Sequence, residues 1–303
     1  MNQYQWPLHG HITSRLIYGC MNLGKEPDSA PAALDAAMEA GFTAFDHADI
    51  YGAGASEEIF GAWLADHREL RDEILIQSKC GIRPGETVMY DFSRNHIVTS
   101  VEGILSRLGI EYLDVLLLHR PDPLVEPEEV ADAFDFLFRS GKVRSFGVSN
   151  HSAFQMEYLA GVLDHSLVAN QLEISLAHPD IITAGTAVNQ RDPAMTMRAG
   201  EVIDYCRLNG ITLQAWGPLA QGRYSGREDT TATTVVTEMA QRYGVSREAI
   251  VLAWLLRHPA PILPVIGTTN PQRIAACAEA DTIILDRVDW FRLLEAARGL
   301  GMP

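Results

Sequence analysis

One unit repeats along this chain from Arg15 onward: a short β-rich run, a loop, then a segment of helical period. The β-rich runs fall at residues 16–20, 42–45, 74–78, 113–118, 145–148, 168–172, 212–215 and 262–265. Such short apolar runs suit strands covered on both faces. The helices between them are well marked. Asp28 or Ser29 is placed to cap a helix through Leu34 and Met38 that stops at Gly41, and Ser56 one carrying Ile59, Phe60, Trp63 and Leu64. Ile97, Val101, Ile104, Leu105 and Leu108 share one helical face before Gly109, and Pro127 opens a helix using Val130, Phe134, Leu137 and Phe138. Further helical segments are read at 154–162, 201–208, 235–243, 247–257 and 271–278, with an extra amphipathic helix at 288–300.

Eight strands alternating with helices fit either a doubly wound open sheet or a closed (β/α)8 TIM barrel. The dinucleotide-binding turn of the first is missing, because the run from Gly52 begins Gly-Ala-Gly but has Glu57 where the third glycine belongs. The equivalence of the units favours the barrel. A (β/α)8 barrel runs to about 250 residues or more as one unit, so 303 residues are expected to form a single domain, 1–303. Residues 4–8 and 11–13 suit a small hairpin plugging the bottom. Two long loops, 177–199 and 217–234, follow strands and so belong at the active face as lids or substrate walls.

A formal net charge of -15 and the lack of a basic patch argue against nucleic-acid binding. An anionic ligand must be held by a few arginines or helix N-termini against that field. The four cysteines are scattered with no C-x-x-C pair, which argues against a disulfide framework and a thiolate zinc site. With no signal pattern and no apolar run of bilayer length, a cytoplasmic protein is expected, without a membrane partner.

Polar residues collect where the strands end: Asp46, Lys79, His119, Ser149-Asn150, Gln171, Trp216-Gly217-Pro218 and Gly267-Thr268-Thr269. In a parallel barrel these ends face one mouth, with Tyr51 on the loop after Asp46. A tyrosine has an ordinary pKa of about 10, and a neighbouring lysine stabilises its phenolate and lowers that value. Asp46 would hold Lys79 charged and in place. Tyr51 would then protonate an oxygen that turns negative during reaction, with His119 donating a hydrogen bond to it or relaying the proton. A carbonyl attacked by hydride develops such an oxygen, and hydride must come from a cofactor.

Asp46-x4-Tyr51-Gly52, Lys79, the run from Leu117 to Asp122, Gly147-Val148-Ser149-Asn150, Asn170-Gln171, Trp216-Gly217-Pro218-Leu219 and the run from Gly267 to Arg273 together resemble the aldo-keto reductase family, in order, from about Arg15 to Ala278. The resemblance implies a metal-free (β/α)8 barrel that reduces a small aldehyde or ketone with NADPH. It implies that Tyr51 is the acid, that Lys79 and Asp46 tune it, and that His119 orients the carbonyl. Ser149, Asn150 and Gln171 would hydrogen-bond the nicotinamide carboxamide, and Trp216, where the family more often has tyrosine, would stack on its ring. Gly217 follows, and Pro218, Leu219, Gln221 and Gly222 would lie against the pyrophosphate. Gly267, Thr268, Thr269 and Arg273 would complete the cofactor set, the last three holding the 2′-phosphate of NADP.

The chain departs from the family at His47, where a small hydroxyl residue is usual, and at Gly267, Ala276 and Cys277, where many members carry a lysine and a Glu-Asn pair. Arg223 and Arg227 are candidates to replace the lost phosphate contacts. Met21 and Trp63 are candidate substrate walls. Two other classes fit less of the sequence: a metal-dependent hydrolase using His47, Asp49 and His119, which leaves Tyr51, Lys79 and Trp216 without roles, and a cofactor-binding sensor on the same fold, which has no need of a tuned acid.

Overall fold

The computed structural model describes residues 1–7, 9–184 and 201–302. The chain opens with a hairpin, β1 (Gln3–Gln5) and β2 (Ile12–Ser14), the first strand starting one residue earlier and ending three earlier than the run expected for it and the second shifted by one. Then come β3 (Ile17–Gly19), β4 (Ala44–Asp46), β5 (Leu75–Cys80), a second small hairpin of β6 (Ile82–Arg83) and β7 (Met89–Tyr90), and β8 (Leu113–Leu118), β9 (Val143–Ser149), β10 (Leu167–Glu173), β11 (Thr212–Trp216) and β12 (Ile262–Ile266). Strands β3 to β5 and β8 to β12 form a closed parallel barrel, β12 pairing back onto β3 through Val265 and Ile17. All eight expected strands are present, most of them longer by a residue or two at their C-terminal ends.

Successive side chains of a strand point to opposite faces, and this divides the core into two shells. Ile17, Ala44, Leu75, Val115, Leu117, Ala169, Leu263 and Val265 point inward and pack together with Trp6. Trp6 comes from the turn of the first hairpin, is fully buried and donates its indole N–H to Thr13 Oγ1 at 3.0 Å, so it stoppers the bottom of the barrel. The alternate residues, such as Phe45, Ile76, Leu116 and Phe146, face outward into the main core beneath the helices.

The helices are α1 (Ala30–Glu39), α2 (Ala55–Asp66), α3 (Arg94–Leu108), α4 (Pro127–Arg139), α5 (Ala153–Ala160), the single turn α6 (Asp180–Thr183), α7 (Val202–Leu208), α8 (Thr231–Tyr243), α9 (Arg247–Leu256), α10 (Pro271–Ala278) and α11 (Arg287–Arg298). The terminal α11 is fastened to α9 by Trp254 and Trp290, stacked 5.2 Å apart, each donating its indole N–H to the other's backbone carbonyl. No helix among the described residues is long and apolar enough to cross a membrane.

Several local expectations need correction. Ser29 does not cap α1; its hydroxyl donates back to Glu26 O, and proline in the first turn sets the helix start. Ser56 does not cap α2 either. That helix begins at Ala55 behind three left-handed residues, Gly52, Ala53 and Gly54 (φ 59°, 55° and 97°), and Ser56 is buried with its hydroxyl on Gly24 N. Two glycines tolerate that backbone freely, which is how the chain turns sharply enough after Tyr51 to start a helix at once. The 217–234 segment is not one loop: short helical turns occupy 220–227, and α8 begins at Thr231, capped by Thr230. Of the 177–199 segment, α6 is described and 185–199 lie outside the described residues. Trp63 is in the core against Phe45 and Phe60, its indole on Asp35, and forms no substrate wall. The β6–β7 hairpin was not anticipated, being too short to show a period.

Candidate active site

The C-terminal ends of the barrel strands open into a cavity of about 930 Å³. Asp46 is the last residue of β4 and Lys79 the penultimate residue of β5, both pointing inward. Lys79 is 1% exposed, and its ammonium donates to Asp46 Oδ2 at 2.7 Å, to His47 O at 2.8 Å and to the Tyr51 hydroxyl at 3.1 Å. All three donors of the ammonium are therefore used. Tyr51 is presented from the loop after β4, and His119, just past β8, faces it edge-on with ring centroids 6.1 Å apart. Asp46, Tyr51 and His119 line the cavity; Lys79 lies behind them.

The electrostatics correct one expectation. Burial raises the Tyr51 pKa and outweighs the Lys79 charge, which pulls the other way, so the net direction is up. For Lys79, burial alone would lower the pKa, but the Asp46 carboxylate and the Tyr51 oxygen reverse this and leave it raised. Burial, with the Lys79 and Arg120 charges, pushes His119 down to about 3. His119 is thus neutral near pH 7, able to donate or accept one hydrogen bond without carrying charge.

The residues that the resemblance assigns to the cofactor line the same cavity: Ser149, Asn150, Gln171, Trp216, Gly217, Pro218, Leu219, Gln221, Gly222, Gly267, Thr268, Thr269 and Arg273. Several are themselves locked. Asn150 has a left-handed backbone (φ 63°), its Oδ1 accepts the Trp216 indole N–H at 3.0 Å, and its Nδ2 donates to His119 O and Ser149 Oγ. An asparagine held there by its own side chain is a form of strain concentrated at functional sites. It fixes the tilt of Trp216 beside the tyrosine. At the far end, Asn270 caps α10 by accepting Arg273 N, and the Arg273 side chain forms no ion pair among the described residues. Glu26 and Glu248 also border this end, Glu26 held by the Thr269 hydroxyl. Arg227 lines the cavity, whereas Arg223 pairs with Glu228 and does not.

Residues missed in the sequence also bear on the site. Asn22 donates to Gly267 O at 2.7 Å, Arg120 reaches over the Trp216 ring, and Ile50 and Ile82 add apolar wall beside Met21. Gln77 and Gln214 sit beneath Asp46 and Gln171. The signal for the two glutamines was present: each stands two positions before an inward strand-end residue, Lys79 or Trp216, and so shares its face. His47, by contrast, points away from the mouth into the helical layer, fully buried and 4.5 Å from the Phe60 ring. Among the described residues no three His, Cys, Asp or Glu side chains are grouped to hold a metal ion, so His47, Asp49 and His119 do not form the ligand set of a hydrolase.

The cavity is bordered by the Tyr51 hydroxyl and the Trp216 indole and also by the N-terminus of α10, where the Arg273 guanidinium has no ion-pair partner among the described residues. The aldo/keto reductase family model matches residues 15–297. A 6-dehydroglucose reductase of Agrobacterium fabrum is 37% identical over 94% of this chain and 95% of its own length. Oxidoreductase YdhF of Escherichia coli is 38% identical over 88% of this chain and 86% of its own. The crystal structure of an aldo-keto reductase from Klebsiella pneumoniae in complex with NADPH superposes with a TM-score of 0.80 at 24% identity, covering all of this chain (100%) and 97% of that one. The chain belongs to the aldo/keto reductase family of oxidoreductases.

Proposed function

We propose that this chain, acting as one domain over 1–303, reduces the carbonyl of a small aldehyde or ketone to an alcohol with NADPH. The observation that carries the reading is the buried Lys79 ammonium held between Asp46 and the Tyr51 hydroxyl at the wall of a long cavity. The Klebsiella structure contains NADPH, and the Agrobacterium relative is named for reduction of 6-dehydroglucose.

Bound with its nicotinamide on Trp216, the cofactor supplies the hydride. The chain's own residues do the rest. A neutral His119 N–H and the Tyr51 O–H converge on the carbonyl oxygen and polarise it. As negative charge grows there, Tyr51 gives up its proton, and the phenolate left behind sits 3.1 Å from a fixed cation. Burial keeps the proton on Tyr51 until that moment. Met21, Ile50 and Ile82 give the substrate end apolar walls. Gln221 and Gly222 border the path of the pyrophosphate, and Thr268 and Arg273, at the N-terminus of α10, supply donors a 2′-phosphate needs in an acidic protein, while the Thr269 hydroxyl beside them is engaged by Glu26.

The test is a panel of carbonyl substrates, including glyoxals, quinones and sugar aldehydes, offered to the purified protein with NADPH and with NADH. Consumption of NADPH with alcohol formation is expected; cofactor binding without turnover on any carbonyl would instead mark a binding protein.

A further inference from the structure

Three glutamines meet inside the barrel beside Asp46, and the readings above give Gln77 and Gln214 no role. Gln77, Gln171 and Gln214, from β5, β10 and β11, are at most 1% exposed. Asp46 Oδ1 accepts from Gln77 Nε2 at 2.6 Å and from Gln171 Nε2 at 3.0 Å. Gln77 and Gln214 exchange two hydrogen bonds as an amide pair, Gln77 Nε2 to Gln214 Oε1 at 2.9 Å and Gln214 Nε2 to Gln77 Oε1 at 2.8 Å. Gln214 Oε1 also accepts from Gln171 Nε2 at 2.8 Å. Aliphatic residues would fill this space without the cost of desolvating three amides, so the glutamines are there for direction rather than packing.

The direction can be followed atom by atom. A carboxylate only accepts, so Gln77 must turn its NH2 toward Asp46, which leaves its carbonyl to receive Gln214. Gln214 must therefore present its own carbonyl to Gln171. Both N–H groups of Gln171 are then spent inward, on Asp46 and Gln214, and its Oε1 is the atom left over, with no donor among the described residues. Gln171 borders the cavity; Gln77 and Gln214 do not. We propose that Gln77 and Gln214 are positioning residues that fix Gln171 Oε1 as a hydrogen-bond acceptor facing the cavity, matched to a ligand N–H donor such as the primary carboxamide of a nicotinamide. The inference rests on the nicotinamide-cofactor reading above. The same bonds hold Asp46 under Lys79, so the grip on the carboxamide and the support of Tyr51 are one connected network.

The test measures equilibrium binding of NADP and of its 3-acetylpyridine analogue, in which a methyl ketone replaces the carboxamide and removes the N–H donor. Wild type is expected to favour NADP by about tenfold, the worth of one hydrogen bond. In Gln214→Leu the preference should fall to about threefold, because Gln171 loses one of its two inward bonds and keeps only that to Asp46. Gln214→Met, closer to glutamine in shape, removes the same acceptor and covers the case in which the leucine variant does not fold. Gln214→Glu keeps an oxygen that accepts from Gln171 in either charge state, so its preference should stay at about tenfold. Equal binding of the two dinucleotides by wild type, a tenfold preference kept by Gln214→Leu or Gln214→Met, or a preference lost in Gln214→Glu overturns the proposal. Binding of neither dinucleotide to wild type overturns the nicotinamide reading itself, which separates the two failures.

Discussion

Lys79 Nζ donates to the phenolic oxygen of Tyr51 across 3.1 Å, from a position with almost no access to solvent. A cation so placed does little for a neutral phenol and a great deal for a phenolate, so its effect is felt as the proton leaves. Tyr51→Phe keeps the ring and removes only the acid. Carbonyl reduction is expected to fall at least about a thousandfold, within the upper range for a lost general acid, with the Kd for NADPH changed less than about threefold. Steady-state turnover together with a binding titration checks both halves. Turnover equal to wild type would show that another group supplies the proton.

The direction of the Tyr51 shift fixes the shape of the pH profile. In the proposed mechanism reduction requires the protonated phenol of Tyr51, whose pKa lies above the ordinary value of about 10. His119 is pushed down to about 3 and so does not change charge between pH 5 and 9. The kcat for reduction should therefore be flat across that window and decline only above pH 10. A break near pH 6.5 that vanishes in His119→Gln would show instead that the histidine titrates at its ordinary value and acts as a proton relay.

Asp46 and Lys79 form a buried pair, 3% and 1% exposed at their side chains. Removing one partner strands the other, so Lys79→Met is expected to cost about 3–5 kcal/mol of stability in addition to most of the activity. Adding Asp46→Asn to Lys79→Met should recover part of that stability while leaving activity lost. Chemical denaturation of the two variants measures the difference. A double variant no more stable than Lys79→Met would mean that the Asp46 carboxylate is satisfied by Gln77 and Gln171 alone.

At the other end of the cavity, Arg273 has no ion-pair partner among the described residues and stands in the first turn of α10. Arg273→Ala should weaken NADPH binding by about 10- to 100-fold, the range of a charge-assisted contact, and leave NADH nearly unchanged. Parallel titrations of the variant with both cofactors decide this. Equal losses for the two would remove the 2′-phosphate from its role.

The strand-end residues were legible because a parallel barrel turns sequence order into geometry: any polar residue at a C-terminal strand end reaches the same mouth. Asp46, Lys79 and His119 follow from that rule alone, and Tyr51 from its place one turn beyond Asp46. What lay deeper was harder to see. Gln77 and Gln214 share the inward face with Lys79 and Trp216, but their meaning depends on which way each amide is turned, and that is set by partners more than a hundred residues apart in sequence. The helix caps failed for a related reason. Ser29 and Ser56 have the right chemistry for capping, yet the Ser29 hydroxyl turns back to Glu26 O, and at Ser56 the Gly52 to Gly54 turn and the Gly24 amide decide otherwise, through backbone geometry that periodicity does not carry.

His47 stands beside Asp46 in sequence but faces away from the cavity, and its energetics are those of the core. It is fully buried, and neither ring nitrogen has a hydrogen-bond partner among the described residues. Burial, with the Lys79 charge behind it, pushes its pKa to about 3, so the folded protein holds it neutral down to that pH. The unfolded chain protonates it below about 6.5. Because the folded value is depressed, the stability is intact above pH 6.5 and is lost as pH falls toward 3, at up to about 1.4 kcal/mol per pH unit for this one group. His47→Leu fills similar volume with nothing to protonate or satisfy. The variant should be about 1–3 kcal/mol more stable at neutral pH, and its advantage should widen as pH falls from 6.5 toward 3. Urea denaturation of both proteins at a series of pH values measures the gap directly. Since every other titrating group is common to the pair, a gap that stays constant with pH would mean that His47 is protonated in the folded state and has a partner that its apolar surroundings do not reveal.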